Sequence, residues 1–149
     1  MPLAVCATPI GNLEDVTLRV LRELREADLV LCEDTRRTKV LLERHGVDVK
    51  LLSYHEHNEA ERTAQVLPRL QAGERVALAS DAGLPGVSDP GARLIAAALE
   101  GGVVVTVLPG TVLPGTTIGD RTVVFMLVLV VVVVVVVPPR SGPVPLKFA

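Results

Sequence analysis

Apolar residues fall in short solid runs separated by amphipathic stretches through the first 110 residues. Residues 3–7 (LAVCA) form an apolar run closed by Thr8-Pro9, the pattern of a buried strand. A helix follows, capped by Asp15 or Thr17, with Val16, Val20, Leu21 and Leu24 on one stripe. Residues 28–32 (DLVLC) predict a second strand. Glu33-Asp34-Thr35 then open a helix through Leu41 and Leu42 to His45, with Gly46 as its left-handed stop. Residues 49–53 read as a third strand and residues 58–71 as a third helix, ended by Gly73. Asn58 with Glu61 has the look of a capping box. Residues 75–79 (RVALA) predict the fourth strand, 80–91 a long Gly/Pro/Asp loop, 92–99 a helix stopped by Gly101-Gly102, and 103–108 a fifth strand ended by Pro109-Gly110.

A strand–helix alternation repeated four times and closed by a strand predicts an α/β fold. Solidly apolar strands belong to a sheet buried on both faces, so the expectation is a five-stranded, mostly parallel sheet with helices on both sides. Ligands of such sheets sit beyond the carboxyl ends of the strands. The informative segments are therefore 8–12, 33–37, 53–58, 80–91 and 109–110, which must all open on the same edge.

Composition divides the chain in two. Residues 123–137 are fifteen consecutive apolar residues, the last eight all valine, and no acid follows Asp120. Fifteen falls short of the roughly 17 residues a membrane span needs. An unbroken valine run cannot specify a strand register. It is read first as an artefact of the sequence, second as a buried strand and only third as a membrane anchor. Residues 1–110 are thus expected to form the α/β domain, and 111–149 an atypical low-complexity tail. The 15 Lys plus Arg against 17 Asp plus Glu give a net charge of −2, which excludes a generally basic nucleic-acid binder. Two cysteines exclude a disulfide scaffold; Cys6 and Cys32 sit inside predicted strands as core residues. The amino terminus lacks the charged region of a signal peptide, so a cytoplasmic protein is expected.

The loops carry the chemistry. Residues 8–12 (TPIGN) hold one glycine where a dinucleotide fingerprint needs three, and no Walker A lysine occurs, which lowers the rank of NAD and ATP. Residues 80–91 hold three glycines and two prolines, an unusual backbone path on which a ligand can approach the main chain closely. Asp81, at the strand end, is read as a ligand contact; Asp89, before Pro90-Gly91, more simply caps the next helix. Arg36 and Arg37 with Lys39 and Arg44 are either a solvated helix face or a local positive patch for a phosphate-bearing substrate. His55 and His57 have chelating spacing, but no second pair completes a closed set, so no metal is expected.

Three long segments in order, ATPIGNLEDVTLRVLRELREADLVLCEDTRRT, LLSYHEHNEAERT and ERVALASDAGLPGVSDPGARL, resemble the amino-terminal half of the ribosomal RNA small subunit methyltransferase I family. That family is a branch of the tetrapyrrole methylase superfamily, and the resemblance covers about residues 3–110. It implies a second α/β domain, with S-adenosylmethionine in the cleft between the two. By resemblance, Pro9, Gly11 and Asn12 line the cleft, Asp81, Ala82 and Gly83 lie against the cofactor, Val87 and Ser88 continue that wall, and Pro109 opens a further cofactor-facing turn. The implied reaction is 2′-O-methylation of a cytidine ribose in 16S rRNA of the small ribosomal subunit, by a homodimer. Arg36 and Arg37 are the expected phosphate contacts, with Asn58 on the substrate side. A ribose hydroxyl calls for a general base, and the candidates are Glu33, Asp34, His55 and Glu56. The sequence departs from the family after Pro109-Gly110, where Pro114-Gly115 forbids the expected helix. With its second domain missing or corrupted, the chain is expected to bind the cofactor weakly and to have little activity. The alternatives are a tetrapyrrole or small-molecule methylase of the same fold, and a non-catalytic α/β binding module.

Overall fold

The computed structural model describes residues 2–81, 83, 85 and 90–110, together with the backbone of strands at 117–118, 121–128 and 131–136. The first segment alternates as the sequence predicts: β1 (Leu3–Cys6), α1 (Leu18–Glu26), β2 (Leu29–Cys32), α2 (Thr35–Arg44), β3 (Leu51–Ser53), α3 (Glu59–Gln71), β4 (Val76–Ala79), α4 (Ala92–Glu100) and β5 (Val105–Leu108). Of the two caps offered for α1, Thr17 is the one used: its Oγ1 accepts from the Val20 N–H at 3.1 Å. Asp34 caps α2 through the Arg36 N–H at 2.9 Å, and α2 ends at His45 with Gly46 at φ +61°. The capping box expected of Asn58 and Glu61 does not form, because α3 has no side-chain cap. The Asn58 amide turns back onto its own loop instead, accepting from the His55 N–H at 2.8 Å.

The five strands form one all-parallel sheet in the order β3-β2-β4-β1-β5. Each helix is therefore a crossover. The steps through α1 and α2 move the chain toward the β3 edge; those through α3 and α4 move it toward the β5 edge. With one crossover hand, opposite directions put the helices on opposite faces. The packing obeys this. Ala4, Cys6, Val30, Ala77 and Ala79 meet Val20, Leu21, Leu24 of α1 and Leu42 of α2. Leu3, Leu29, Leu31, Val76 and Leu78 meet Val66 and Leu70 of α3 and Leu94 and Ala98 of α4. Neighbouring strand positions thus serve different cores, which is why β1, β2 and β4 are apolar throughout and buried at every position.

β1 and β4 lie side by side, yet the chain leaves them in opposite directions. Their carboxyl ends form the topological switch point, where open α/β sheets bind ligands. On the other side of β1, Gly110 follows β5 so closely that an added Cβ would stand 2.5 Å from the Ala7 Cβ. The backbone there has no room for any side chain.

A second sheet pairs β6 (Thr117–Ile118), β7 (Arg121–Val128) and β8 (Val131–Val136) antiparallel. The apolar run thus supplies two strands, while its burial lies outside the described residues, as do residues 111–115, on which the expected loss of a helix falls. Among the described residues no helix is long and apolar enough to cross a membrane. Gly110→Ala is expected to destabilise the domain by about 1–3 kcal/mol through overpacking, read as a lower urea midpoint at unchanged slope; an unchanged midpoint would contradict the close β1–β5 approach.

Candidate functional site at the sheet switch point

Two loops knot together beyond β1 and β4. Thr8 and Gly83 exchange both backbone hydrogen bonds, Thr8 N–H to Gly83 O at 2.7 Å and Gly83 N–H to Thr8 O at 3.0 Å. The Thr8 hydroxyl donates to Ser80 O at 3.0 Å, and the Ser80 hydroxyl donates to Gly83 O at 2.9 Å. Gly83 sits at φ +85°, a conformation that excludes most side chains. Thr8 and Ser80 are buried, so the knot is shielded from water and each of these polar groups has a partner.

The knot forms one wall of a crevice of about 340 Å³, closed on the other side by α2. Pro9, Ile10, Leu13, Val40 and Leu41 give it an apolar lining, and Thr8, Ser80, Asp81, Thr38 and Arg37 a polar one. Ile10 and Val40 are about half exposed at its lip, 56% and 53%, and so present apolar surface to a ligand entering the crevice.

Asp81 joins the two walls. Its Oδ1 accepts from the Asp34 N–H at 3.0 Å, and its Oδ2 lies 3.6 Å from Arg37 Nη1. The β4 loop thereby holds the first turn of α2 in place. The basic residues of this helix do not form the continuous positive patch that their spacing allows. Arg36 closes on Asp34 at 3.1 and 3.2 Å, Lys39 faces Glu43 one turn on, and Arg44 holds Glu14 of the first loop. Asp34 and Glu43 are sequence neighbours of the bases they meet, while Glu14 is brought to Arg44 by the fold. The Arg36 guanidinium and the Arg36 N–H together hold the Asp34 carboxyl below the usual aspartate range. As Asp34 is solvated, this is a statement about its charge at neutral pH rather than a large stabilisation.

The expected site residues separate into groups. Pro9, Gly11, Asp81 and Arg37 line the crevice, and Gly83 forms its knot. Asn12 turns its Oδ1 onto the Glu14 N–H at 3.0 Å, and exposed Pro109 lies at the β5 end; neither lines the crevice. Arg36, Glu33, Asp34, His55, Glu56 and Asn58 also stand outside its lining. Asn58 is fixed by three bonds: Oδ1 accepts from the His55 N–H, and Nδ2 reaches Ser53 O at 3.3 Å and His55 Nε2 at 3.0 Å. Since that amide nitrogen can only donate, His55 Nε2 accepts and the ring proton rests on Nδ1. Nδ1 is buried without a partner among the described residues. Ala82, Val87, Ser88 and the capping role of Asp89 lie outside the described residues. Thr8, Thr38 and Ser80 were not singled out by sequence, though a hydroxyl residue directly after a strand is the signal that points to Thr8 and Ser80.

Burial pushes the Cys6 thiol up to about 12, with the charge of Glu23 adding to it. Burial also raises Cys32, against a hydrogen bond with Thr38. Among the described residues no His, Cys, Asp or Glu cluster could hold a metal ion. Two outcomes are expected. Thr8→Val, which leaves the loop carbonyls underbonded, costs about 1–3 kcal/mol in chemical denaturation; no loss would mean the knot is incidental. Both thiols, protonated and covered, resist iodoacetamide at pH 8 in the folded chain and react once it is unfolded; rapid native labelling would contradict their burial.

Comparison with known proteins places this geometry. The sequence profile of the tetrapyrrole (corrin/porphyrin) methylases matches residues 2–114. A ribosomal RNA small subunit methyltransferase I from Mesorhizobium japonicum is 52% identical over 108 residues, covering 72% of this chain and 37% of the relative. One from Thermotoga maritima is 49% identical over 108 residues, covering 72% of this chain and 49% of the relative. The chain thus spans half or less of the length of the curated relatives it matches. A crystal structure of uroporphyrin-III C-methyltransferase from Thermus thermophilus superposes with a TM-score of 0.57 at 27% identity, covering 72% of this chain and 46% of that one. With its profile match extending over all five strands of a parallel sheet and the loops that knot at the switch point, the chain belongs to the tetrapyrrole methylase family.

Proposed function

We propose that this chain carries the methyl-donor half of an S-adenosylmethionine-dependent methyltransferase acting on ribosomal RNA of the small subunit, and that the reaction is 2′-O-methylation of a cytidine. The observation that carries the reading is the crevice at the switch point, lined by Thr8, Pro9, Ile10, Gly11, Ser80 and Asp81 from two of the segments that carry the resemblance to the ribosomal RNA enzymes. Identity of 49% and 52% to those relatives favours RNA over the tetrapyrrole substrate of the 27% identical structural neighbour. The relatives' names point to small-subunit ribosomal RNA as the substrate, here taken as 16S rRNA, and the resemblance implies a cytoplasmic homodimer.

The residues present fit such a donor. Ligand sites for small molecules are concave, mostly apolar and carry a few fixed polar groups. Here Pro9, Ile10, Leu13 and Val40 offer an apolar wall for an adenosine-sized group, Gly11 leaves space free of side chain, and Asp81 places a carboxylate at the floor. When bound, the donor supplies an activated methyl group on a sulfonium. What this chain contributes is position and dryness. The Thr8–Ser80–Gly83 knot fixes the two loops relative to each other, and the apolar lining sheds water where a bound donor covers it. Of the four candidates for the general base, Asp34 is committed to Arg36 and to its own helix, and His55 has its Nε2 lone pair on Asn58. Glu33 and Glu56 are the exposed carboxylates on the same edge of the sheet.

Tritiated S-adenosylmethionine, cross-linked to the chain by ultraviolet light, is expected to label peptides holding residues 8–12 or 80–91. Titration calorimetry is expected to give binding weaker than the low-micromolar range. With undermethylated 30S subunits, any transferred label should appear as 2′-O-methylcytidine after nuclease digestion. Label confined to other peptides, or transferred to a base or to a tetrapyrrole, would overturn the reading.

A further inference from the structure

Among the described residues, Arg37 is the base that lines the crevice, and its guanidinium is held there loosely. The side chain is 71% exposed, and Nη1 stands 3.6 Å from Asp81 Oδ2, beyond hydrogen-bond reach. Asp81 is the firmer partner. Its side chain is 18% exposed, and its other oxygen is fixed by the Asp34 amide at 3.0 Å. Arg36 is different again, since it makes two hydrogen bonds to Asp34. Of the two adjacent arginines, one is spent on its own helix terminus and the other stands over a cavity with, among the described residues, one distant counter-charge.

A phosphodiester offers a guanidinium two oxygens in a fork, at distances where both bonds form. Asp81 offers it one oxygen at 3.6 Å. The carboxylate that weakly restrains Arg37 also repels any phosphate approaching the crevice. Removing the guanidinium from Asp81 does not free α2, because the Asp34 amide stays on the other carboxylate oxygen.

We propose that Asp81 is the resting counter-ion of Arg37, and that substrate RNA binds by exchange: one phosphodiester takes the guanidinium from the carboxylate. Arg37 is then the phosphate-reading residue of the pair, and Asp81 restrains it through Oδ2 while its Oδ1 stays on the Asp34 amide. This rests on the RNA reading above and assigns the arginine that serves it.

The test is binding of a fluorescein-labelled single-stranded RNA of roughly 12 nucleotides to the whole chain, followed by anisotropy from about 50 to about 300 mM KCl. Arg37→Met should weaken binding about tenfold and lower the salt slope by about one phosphate contact. Asp81→Asn keeps an oxygen for the Asp34 amide and should tighten binding about fivefold. In the double variant that gain should vanish, because the residue it releases is gone. Arg37→Lys, which keeps the charge and loses the fork, should restore the salt slope without the full affinity. Circular dichroism melts identify any variant that fails to fold, in which case the Arg37 variants alone decide. The exchange is overturned if the wild-type chain does not bind the RNA, if Arg37→Met binds as wild type does, if Asp81→Asn brings no gain, or if the gain persists without Arg37. Failure of the wild-type chain to bind S-adenosylmethionine, with the RNA pattern as expected, overturns the methyltransferase reading and leaves the exchange standing.

Discussion

The parallel pairing of β1 with β4 organises everything else in this domain. It joins segments more than seventy positions apart, as the Thr8–Ser80 hydrogen bond across 72 residues records. Until it forms, the two loops that build the crevice have no reason to meet. Once it forms, Thr8 and Ser80 stand at the ends of adjacent strands, and their hydroxyls have carbonyls within reach. Closing so long a loop costs conformational entropy before any contact rewards it. The reward comes from the two-sided burial of Leu3, Ala4, Val5 and Cys6 against Val76–Ala79. The site's rigidity is thus drawn from the centre of the core, although the site itself lies at the surface.

The electrostatics follow a division between the two ends of the sheet. At the amino ends, buried Glu23 is paired with Arg75 at 3.3 Å, and Asp28 accepts from the Arg75 N–H at 2.9 Å. The Glu23 pair is partly buried and pins α1 to the start of β4, while the exposed Asp28 bond ties the entry of β2 to the same point. At the carboxyl ends Arg36 and Arg37 are exposed, and pairs with such partners contribute little to stability. Weak pairs suit an edge that must receive a ligand, because a partner with better geometry displaces them at small cost. A strong buried pair at Asp81 would have made the crevice more rigid and less useful.

The loop after β3 has a different logic. Asn58 spends its whole amide on Ser53 and His55, so it shapes the segment YHEHN and does not cap the helix that follows. Tyr54 anchors the loop from below, buried and bonded to Thr63 at 2.9 Å. A residue type that ordinarily caps a helix has here been used to shape a loop, and the orientation of His55 is the result.

Local order was legible in the residues. Solid runs such as LAVC and VALA announced strands covered on both faces, because no alternation survives when each side meets its own helices. Thr17, Asp34 and Gly46 announced helix ends through their side chains or backbone freedom. The TPIGN, EDTRR, HEHN and SDAG segments were recognisable as the polar edge, since in a parallel sheet every strand delivers its following loop to one side. What the sequence could not specify was the order of the strands, and with it the neighbours of each loop. Asp81 reads alone as a carboxylate awaiting a ligand; only the fold brings the Asp34 amide and Arg37 against it. Arg36, Arg37, Lys39 and Arg44 read alone as either a solvated helix face or a basic patch, and three of their four counter-charges, Asp34, Glu43 and Asp81, take their places from helix geometry or from β2–β4 adjacency, while Glu14 comes from a loop 30 residues away. Propensity and periodicity act over a few residues, so they determine elements and their buried faces. Which elements touch is settled by the packing of the whole core and the hand of its crossovers, and the site inherits its chemistry from that choice.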